Sequence, residues 1–81
     1  MKITGTKWYV DIEHNGNIAR FSGDLCIDGF AAIANSMQWI RHVGPVWDEE
    51  QLELMKAVRT FVKDKKEKVF FTDEKYNDLK F

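Results

Sequence analysis

The sequence has few of the residues that build reactive or cross-linked sites. It contains one cysteine, Cys26, one proline, Pro45, and two histidines, His14 and His42. A lone cysteine excludes a disulfide within the chain, and no Cys-x-x-Cys or His-x-x-x-His spacing indicates a metal site. The glycines form neither a Gly-x-Gly-x-x-Gly fingerprint nor a phosphate-binding loop. We therefore expect a protein that is not an enzyme, with no catalytic residues, no metal site and no cofactor.

Long apolar runs are also missing. No such run follows Met1 and Lys2, so we expect neither a signal peptide nor a membrane span, and we take a cytoplasmic location as the default. The 81 residues are 44% hydrophobic and 14% aromatic, which predicts one domain, residues 1–81, around one core. The formal net charge of −1 argues against a protein built mainly to bind nucleic acid.

The clearest local signal is Asn15-Gly16, which favours a two-residue type I′ turn because both central positions need positive φ. A hairpin with this turn pairs residues whose numbers sum to a constant. Apolar partners then share one face and opposite charges meet on the other. The predicted pairs are Ile12 with Ala19, Val10 with Phe21, Trp8 with Gly23, and Asp11 with Arg20.

Asp28-Gly29 is a second turn signal with two interpretations. As a hairpin turn it pairs Ile27 with Phe30 and Leu25 with Ala32, which gives a three-stranded meander. Alternatively, Asp28 caps a helix across residues 30–40, which the alanines there favour. We prefer the strand because a two-stranded hairpin alone is marginal.

The best helix signal follows Gly44-Pro45 and predicts a helix over residues 48–65. Asp48 is the expected N-cap, Gln51 stands at the capping-box position, and Trp47 is placed to pack on Leu52 as a hydrophobic staple. Apolar residues then recur at helical spacing and predict the buried face. That stripe is Gln51, Leu54, Met55, Val58, Phe61 and Val62.

Val69-Phe70-Phe71 is short, β-prone and bounded by charge, and it predicts a fourth strand. The following residues, 72–81, form a polar tail that Tyr76, Leu79 and Phe81 are able to dock. The expected fold is α+β, an antiparallel meander of three to four strands packed against one main amphipathic helix.

Binding is the function class that this reasoning leaves. An acidic helix start beside tryptophans predicts a surface for a basic macromolecule, since such a field speeds association. The predicted partner-binding residues are Trp39, Trp47, Asp48, Glu49, Glu50 and Glu53. The alternatives are that the tryptophans belong to the core and that the carboxylates only complement the helix dipole.

The order of these features resembles a known family. The hairpin is followed by Asn35-Ser36-Met37-Gln38-Trp39, then Pro45, an acidic helix start and a closing strand. This resembles immunity protein family seventy-four of bacterial polymorphic toxin systems, over roughly Lys2 to Thr72. In the family pattern a Ser-aliphatic-x-Trp stretch runs into a proline pair, whereas here residues 40–44 separate Trp39 from a single proline.

The resemblance implies an α+β protein that neutralises a cognate toxin by direct binding, and the acidic patch suggests a basic toxin domain. Two other functions stay open. One is a structural or phage-encoded assembly subunit that self-associates through a sheet face or edge. The other is a small nucleic-acid-binding module that uses Lys56, Arg59, Lys63, Lys66, Lys68, Phe70 and Phe71.

Overall fold

A computed structural model describes all 81 residues and contains six β-strands and one α-helix. The strands are β1 (Lys2–Gly5), β2 (Tyr9–His14), β3 (Asn17–Cys26), β4 (Gly29–Ile33), β5 (Gln38–Arg41) and β6 (Lys68–Thr72). The helix α1 spans Glu50–Val62, and a short 3-10 helix, Ala34–Ser36, separates β4 from β5. One mixed sheet runs in the order β1-β2-β3-β4-β6, and β5 also pairs with β3. The predicted α+β class, with a meander and one main helix, is confirmed.

The hairpin β2–β3 forms around Asn15 and Gly16, whose φ angles are 52° and 81°. Every predicted pair within the strands is confirmed, including Asp11 opposite Arg20. The inward residues of this hairpin are buried: Val10, Ile12, Ala19 and Phe21. Trp8 lies beside Gly23 as predicted, since the Gly23 amide donates to the Trp8 carbonyl over 3.1 Å, but Trp8 is 66% exposed and does not join the apolar face.

The segment after Asp28 is a strand, so the alternative helix across residues 30–40 is wrong. The predicted register is also wrong, because Leu25 lies opposite Phe30 and Gly23 lies opposite Ala32. The reason is that Gly29 is a strand residue, where the prediction placed it in the turn. A Cβ on Gly29 would lie 1.8 Å from the Lys68 carbonyl oxygen, so only glycine admits β6 beside it.

Two strands, β1 and β5, were not predicted. The first extends the meander at its edge, and β5 continues along β3 beyond β4. Strand β6 was predicted, but it runs parallel to β4, with Phe30 opposite Val69 and Ala32 opposite Phe71. Because α1 lies between β5 and β6 in the chain, it provides the long crossover that a parallel pair needs.

The helix covers one face of the sheet through Leu54, Met55, Val58 and Val62, as the apolar spacing predicts. Phe61 is less buried than expected, at 39% exposure. The helix is shorter than predicted at both ends. At the carboxyl end the chain tightens, with bonds from the Lys63 amide to the Thr60 carbonyl and from the Lys65 amide to the Val62 carbonyl. The Lys68 ammonium donates to the carbonyls that this leaves, those of Val62, Lys63 and Lys65. Helix α1 lacks the length and apolar character needed to cross a membrane.

The tail, residues 73–81, wraps the outer edge of β6. The Leu79 amide donates to the Phe71 carbonyl over 3.0 Å, and Leu79 and Phe81 pack against the core. The Arg59 guanidinium stacks 3.6 Å from the centroid of the Phe81 ring. Tyr76 does not pack on the core and is 46% exposed, but its side chain is hydrogen-bonded to Asp24, which raises the pKa of its hydroxyl.

Candidate partner-binding surface

The segment between β5 and α1, residues 42–49, exposes more apolar side chain than a connection of this length needs. Val43 is 72% exposed, Val46 is 55% exposed and Trp47 is 64% exposed. Asp48, Glu49 and Glu53 are exposed next to them. We call this segment and the first turn of α1 the acidic loop. Exposed aromatic and apolar groups beside one sign of charge are typical of protein-binding surfaces.

The acidic loop is held from inside by His42. Its Nε2 lies 2.5 Å from a Glu50 carboxylate oxygen, and its Nδ1 lies 3.0 Å from the Gly44 carbonyl oxygen. Its ring also packs edge-on against Trp39, with centroids 4.6 Å apart. Only 8% of the His42 side chain is exposed. This histidine therefore ties the end of β5 to the start of α1.

The geometry around His42 favours the doubly protonated imidazolium. Both ring nitrogens face oxygen acceptors, so both contacts are hydrogen bonds only when each nitrogen carries a proton. The hydrogen bond to Glu50 raises the pKa of His42 above its ordinary value of 6.5. The same bond, with help from the Trp47 amide, lowers the pKa of Glu50 below its ordinary 4.5. The pair is thus a charged hydrogen bond at mildly acidic pH.

Glu50 also closes the turn that leads into the helix. Its second carboxylate oxygen accepts the Trp47 amide over 2.9 Å, three residues back, as in a capping box. The prediction that Asp48 is the N-cap is wrong, since the N-cap is Glu49 and no side chain bonds to the helix there. The predicted staple is wrong too, because Trp47 and Leu52 are both exposed. The N-cap thus lies one residue later than predicted, whereas the capping-box contact lies one residue earlier than the predicted one, and the Gln51 side chain bonds to the Ala34 carbonyl instead.

The acidic loop is also fixed to the β2–β3 turn. The Val43 amide donates to the Asn17 side-chain oxygen over 2.8 Å. Arg41 donates to the Gly16 carbonyl over 3.0 Å and lies 3.5 Å from Glu13. These bonds attach the amino-terminal end of the segment to the β2–β3 hairpin, while the bonds of Glu50 hold its other end. The backbone that carries the exposed side chains is therefore held in place, which lowers the entropy cost of binding.

The predicted site residues divide into two groups. Trp47, Asp48, Glu49 and Glu53 lie together on the exposed surface. Trp39 and Glu50 lie behind them, where they hold His42 and line a small cavity of about 120 Å³ with Glu53. They position the surface and are not its outer contacts.

Sequence reasoning missed His42, Arg41 and Asn17. His42 has no partner close to it in the sequence, since Glu50 is eight residues away. Only the paired arrangement of β5 with β3 brings Asn17 near residue 43. No signal in the one-dimensional pattern identifies these contacts.

No group of three or more histidine, cysteine or acidic side chains is arranged to hold a metal ion. No protein-family model, curated protein or solved structure matches the chain.

Proposed function

We propose that this protein is an immunity protein that neutralises a cognate bacterial toxin by binding it through the acidic loop. The observation that carries the proposal is the exposed Trp47, whose backbone amide is bonded to Glu50, in the same segment as the exposed Asp48, Glu49 and Glu53. Tryptophan in a preorganised setting is a frequent hot spot, and neighbouring carboxylates attract a basic surface. The resemblance to immunity protein family seventy-four supports the same function.

The charges and the aromatic ring have different expected effects on binding. Carboxylates at the rim act mainly on the association rate and lose effect as salt rises. The Trp47 ring, once desolvated against the partner, acts mainly on the dissociation rate. A basic toxin domain, such as one that cleaves nucleic acid, presents a surface of the complementary sign.

The test first identifies the partner by pull-down or gene neighbourhood, and then measures its binding rates and the rescue of cell growth. Asp48→Lys, Glu49→Lys and Glu53→Lys together are expected to slow association about tenfold or more at low salt. The matched control reverses three exposed carboxylates elsewhere, Asp28, Asp64 and Glu67, with the same change in net charge. It is expected to bind at close to the native rate.

Two tryptophans of nearly equal exposure give a second matched pair. Trp47→Ala is expected to raise the dissociation rate about tenfold or more, whereas Trp8→Ala leaves it unchanged. Glu50 is kept intact in every variant, because its loss would release the acidic loop and confuse binding with folding. If the triple reversal stays folded, and both it and Trp47→Ala bind the partner with native association and dissociation rates, the acidic loop is not the binding surface.

A further inference from the structure

A second surface lies at the carboxyl end of α1, whereas the acidic loop lies at its amino end. A groove of about 760 Å³ opens there between the β1–β2 turn, the β3–β4 turn, the end of α1 and the start of β6. It is lined by apolar residues of the sheet and of the end of the helix, namely Ile3, Val10, Phe30, Val69, Phe61 and Val62. Nothing in the proposed function uses this groove.

The floor of the groove is apolar, and apolar side chains also stand at its rim. Phe30 and Val69 form part of its floor and are buried in the core. Its rim holds Leu25 at 64% exposure, Ile27 fully exposed, and Phe61 at 39%. When exposed apolar side chains gather at the mouth of a groove with an apolar floor, the groove is more often an interaction site than an ordinary solvated surface.

The charged groups around the groove are mainly cationic. Lys7, Lys65 and Lys68 line it, against one carboxylate, Glu67. Lys68 is held by the helix carbonyls, but Lys7 and Lys65 take part in no ion pair. The Lys65 ammonium lies 5.0 Å from the centroid of the Phe61 ring, so charge and apolar surface meet at one rim. The groove is therefore complementary to an apolar group with negative charge beside it.

We propose that this groove binds an apolar segment of another protein whose flanking residues are acidic. The groove is open on one side, so a bound group would keep that side in water. This favours a protein segment over a small ligand, which needs most of its surface buried. An amphipathic helix that lays its apolar face into a hydrophobic groove is a common solution of this kind. Aspartate or glutamate beside that face would meet Lys7 and Lys65.

The only cysteine in the chain gives a direct report of occupancy. Cys26 is exposed and lines the groove, so a bound segment should shield its thiol. Peptides are selected from a random phage-displayed library on the whole protein. We expect the selected peptides to combine apolar with acidic residues and to slow alkylation of Cys26 by a maleimide. Protein already alkylated with a bulky maleimide should lose these peptides, whereas treated Cys26→Ser protein should keep them.

Charge variants test the complementarity. Lys7→Glu with Lys65→Glu should weaken the selected peptides about tenfold, mostly at low salt. Lys56→Glu with Lys63→Glu changes net charge equally, outside the groove, and should leave binding intact. The triple reversal in the acidic loop should also leave it intact, which separates this site from the proposed function.

Several results would overturn the proposal. One is a selection that yields only basic peptides, or peptides that leave Cys26 as reactive as before. Another is protection of Cys26 by oleate and by no peptide, which would assign the groove to a lipid. A third is concentration-dependent dimerisation that Lys7→Glu with Lys65→Glu abolishes, which would assign it to a second copy.

Discussion

Gly16 links the conformation of one residue to the pairing of two strands. Its φ of 81°, with 52° at Asn15, permits the tight turn, and the turn then fixes which residues face each other along β2 and β3. One consequence lies on the outer face of the sheet, where Arg20 donates two hydrogen bonds of 2.8 and 2.9 Å to Asp11. A local sequence signal therefore fixes contacts several residues away.

Gly16→Val is expected to lower the free energy of unfolding by about 1 kcal/mol or more, because a β-branched residue resists positive φ. Crowding is not the cause, since nothing lies within 4 Å of a Cβ added there. Gly16→Asn is the matched control, because asparagine tolerates positive φ, and it should cost less. Equal denaturation midpoints for Gly16→Val and the unmodified protein would show that the turn does not set the register.

His42 is expected to make stability depend on pH. Because its pKa is raised on folding, its contribution is full below 6.5 and is lost as pH rises through the folded-state pKa. The pKa of Glu50 is lowered, so its contribution is present above 4.5 and is lost as pH falls through its folded-state pKa. The pair therefore contributes most between 4.5 and 6.5.

The measurement is the melting temperature of the unmodified protein and of His42→Gln across pH 4 to 9. The gap between the two should be widest at mildly acidic pH and should narrow toward pH 9. Parallel profiles would show that His42 acts only through packing on Trp39. His14→Gln is the control, since His14 makes no ion pair.

At the scale of elements, the start of α1 shows how a capping signal can be assigned to the wrong residue. Asp48, Glu49 and Glu50 are consecutive acidic residues, and each fits the positive end of a helix. Only Glu50 closes the turn by accepting the Trp47 amide. The choice depends on where His42 lies, because that ring holds the other Glu50 oxygen.

Asp48→Ala is therefore expected to change the free energy of unfolding by no more than about 0.5 kcal/mol, as for an exposed side chain without structural contacts. Glu50→Ala should destabilise the protein more, because it removes both the capping bond and the partner of a nearly buried histidine. Urea denaturation of the two variants measures the order. A larger loss of unfolding free energy for Asp48→Ala than for Glu50→Ala would show that Asp48 is the cap after all.

Elements with local signals could be predicted from the sequence, and elements defined by distant partners could not. The hairpin and α1 each have a signal within a short stretch of sequence: Asn15-Gly16 for the hairpin and helical apolar spacing for α1. Strands β1 and β5 are four residues each and take their shape from β2 and β3. The predicted register of β4 was wrong for the same reason, because Gly29 is required by its close contact with Lys68 of β6 and not by the turn before it.

At the scale of the whole molecule, α1 separates two surfaces of opposite character. The acidic loop lies at its amino end and the basic-rimmed groove at its carboxyl end. The acidic surface could be predicted, because its charges are adjacent in sequence. The groove could not, because its walls come from the β1–β2 turn, the β3–β4 turn, α1 and β6. A net charge of −1 conceals this separation.

The parallel pairing of β4 with β6 also has a consequence for the order of folding. The meander joins neighbours in sequence, whereas β6 reaches β4 only after residues 34–67 have closed a loop, which costs chain entropy. We expect β6 to dock after the transition state. Val69→Ala should then mainly speed unfolding, whereas Ile12→Val in the hairpin should mainly slow folding. Stopped-flow refolding and unfolding in urea measure both rates, and equal slowing of refolding by the two variants would place β6 in the nucleus.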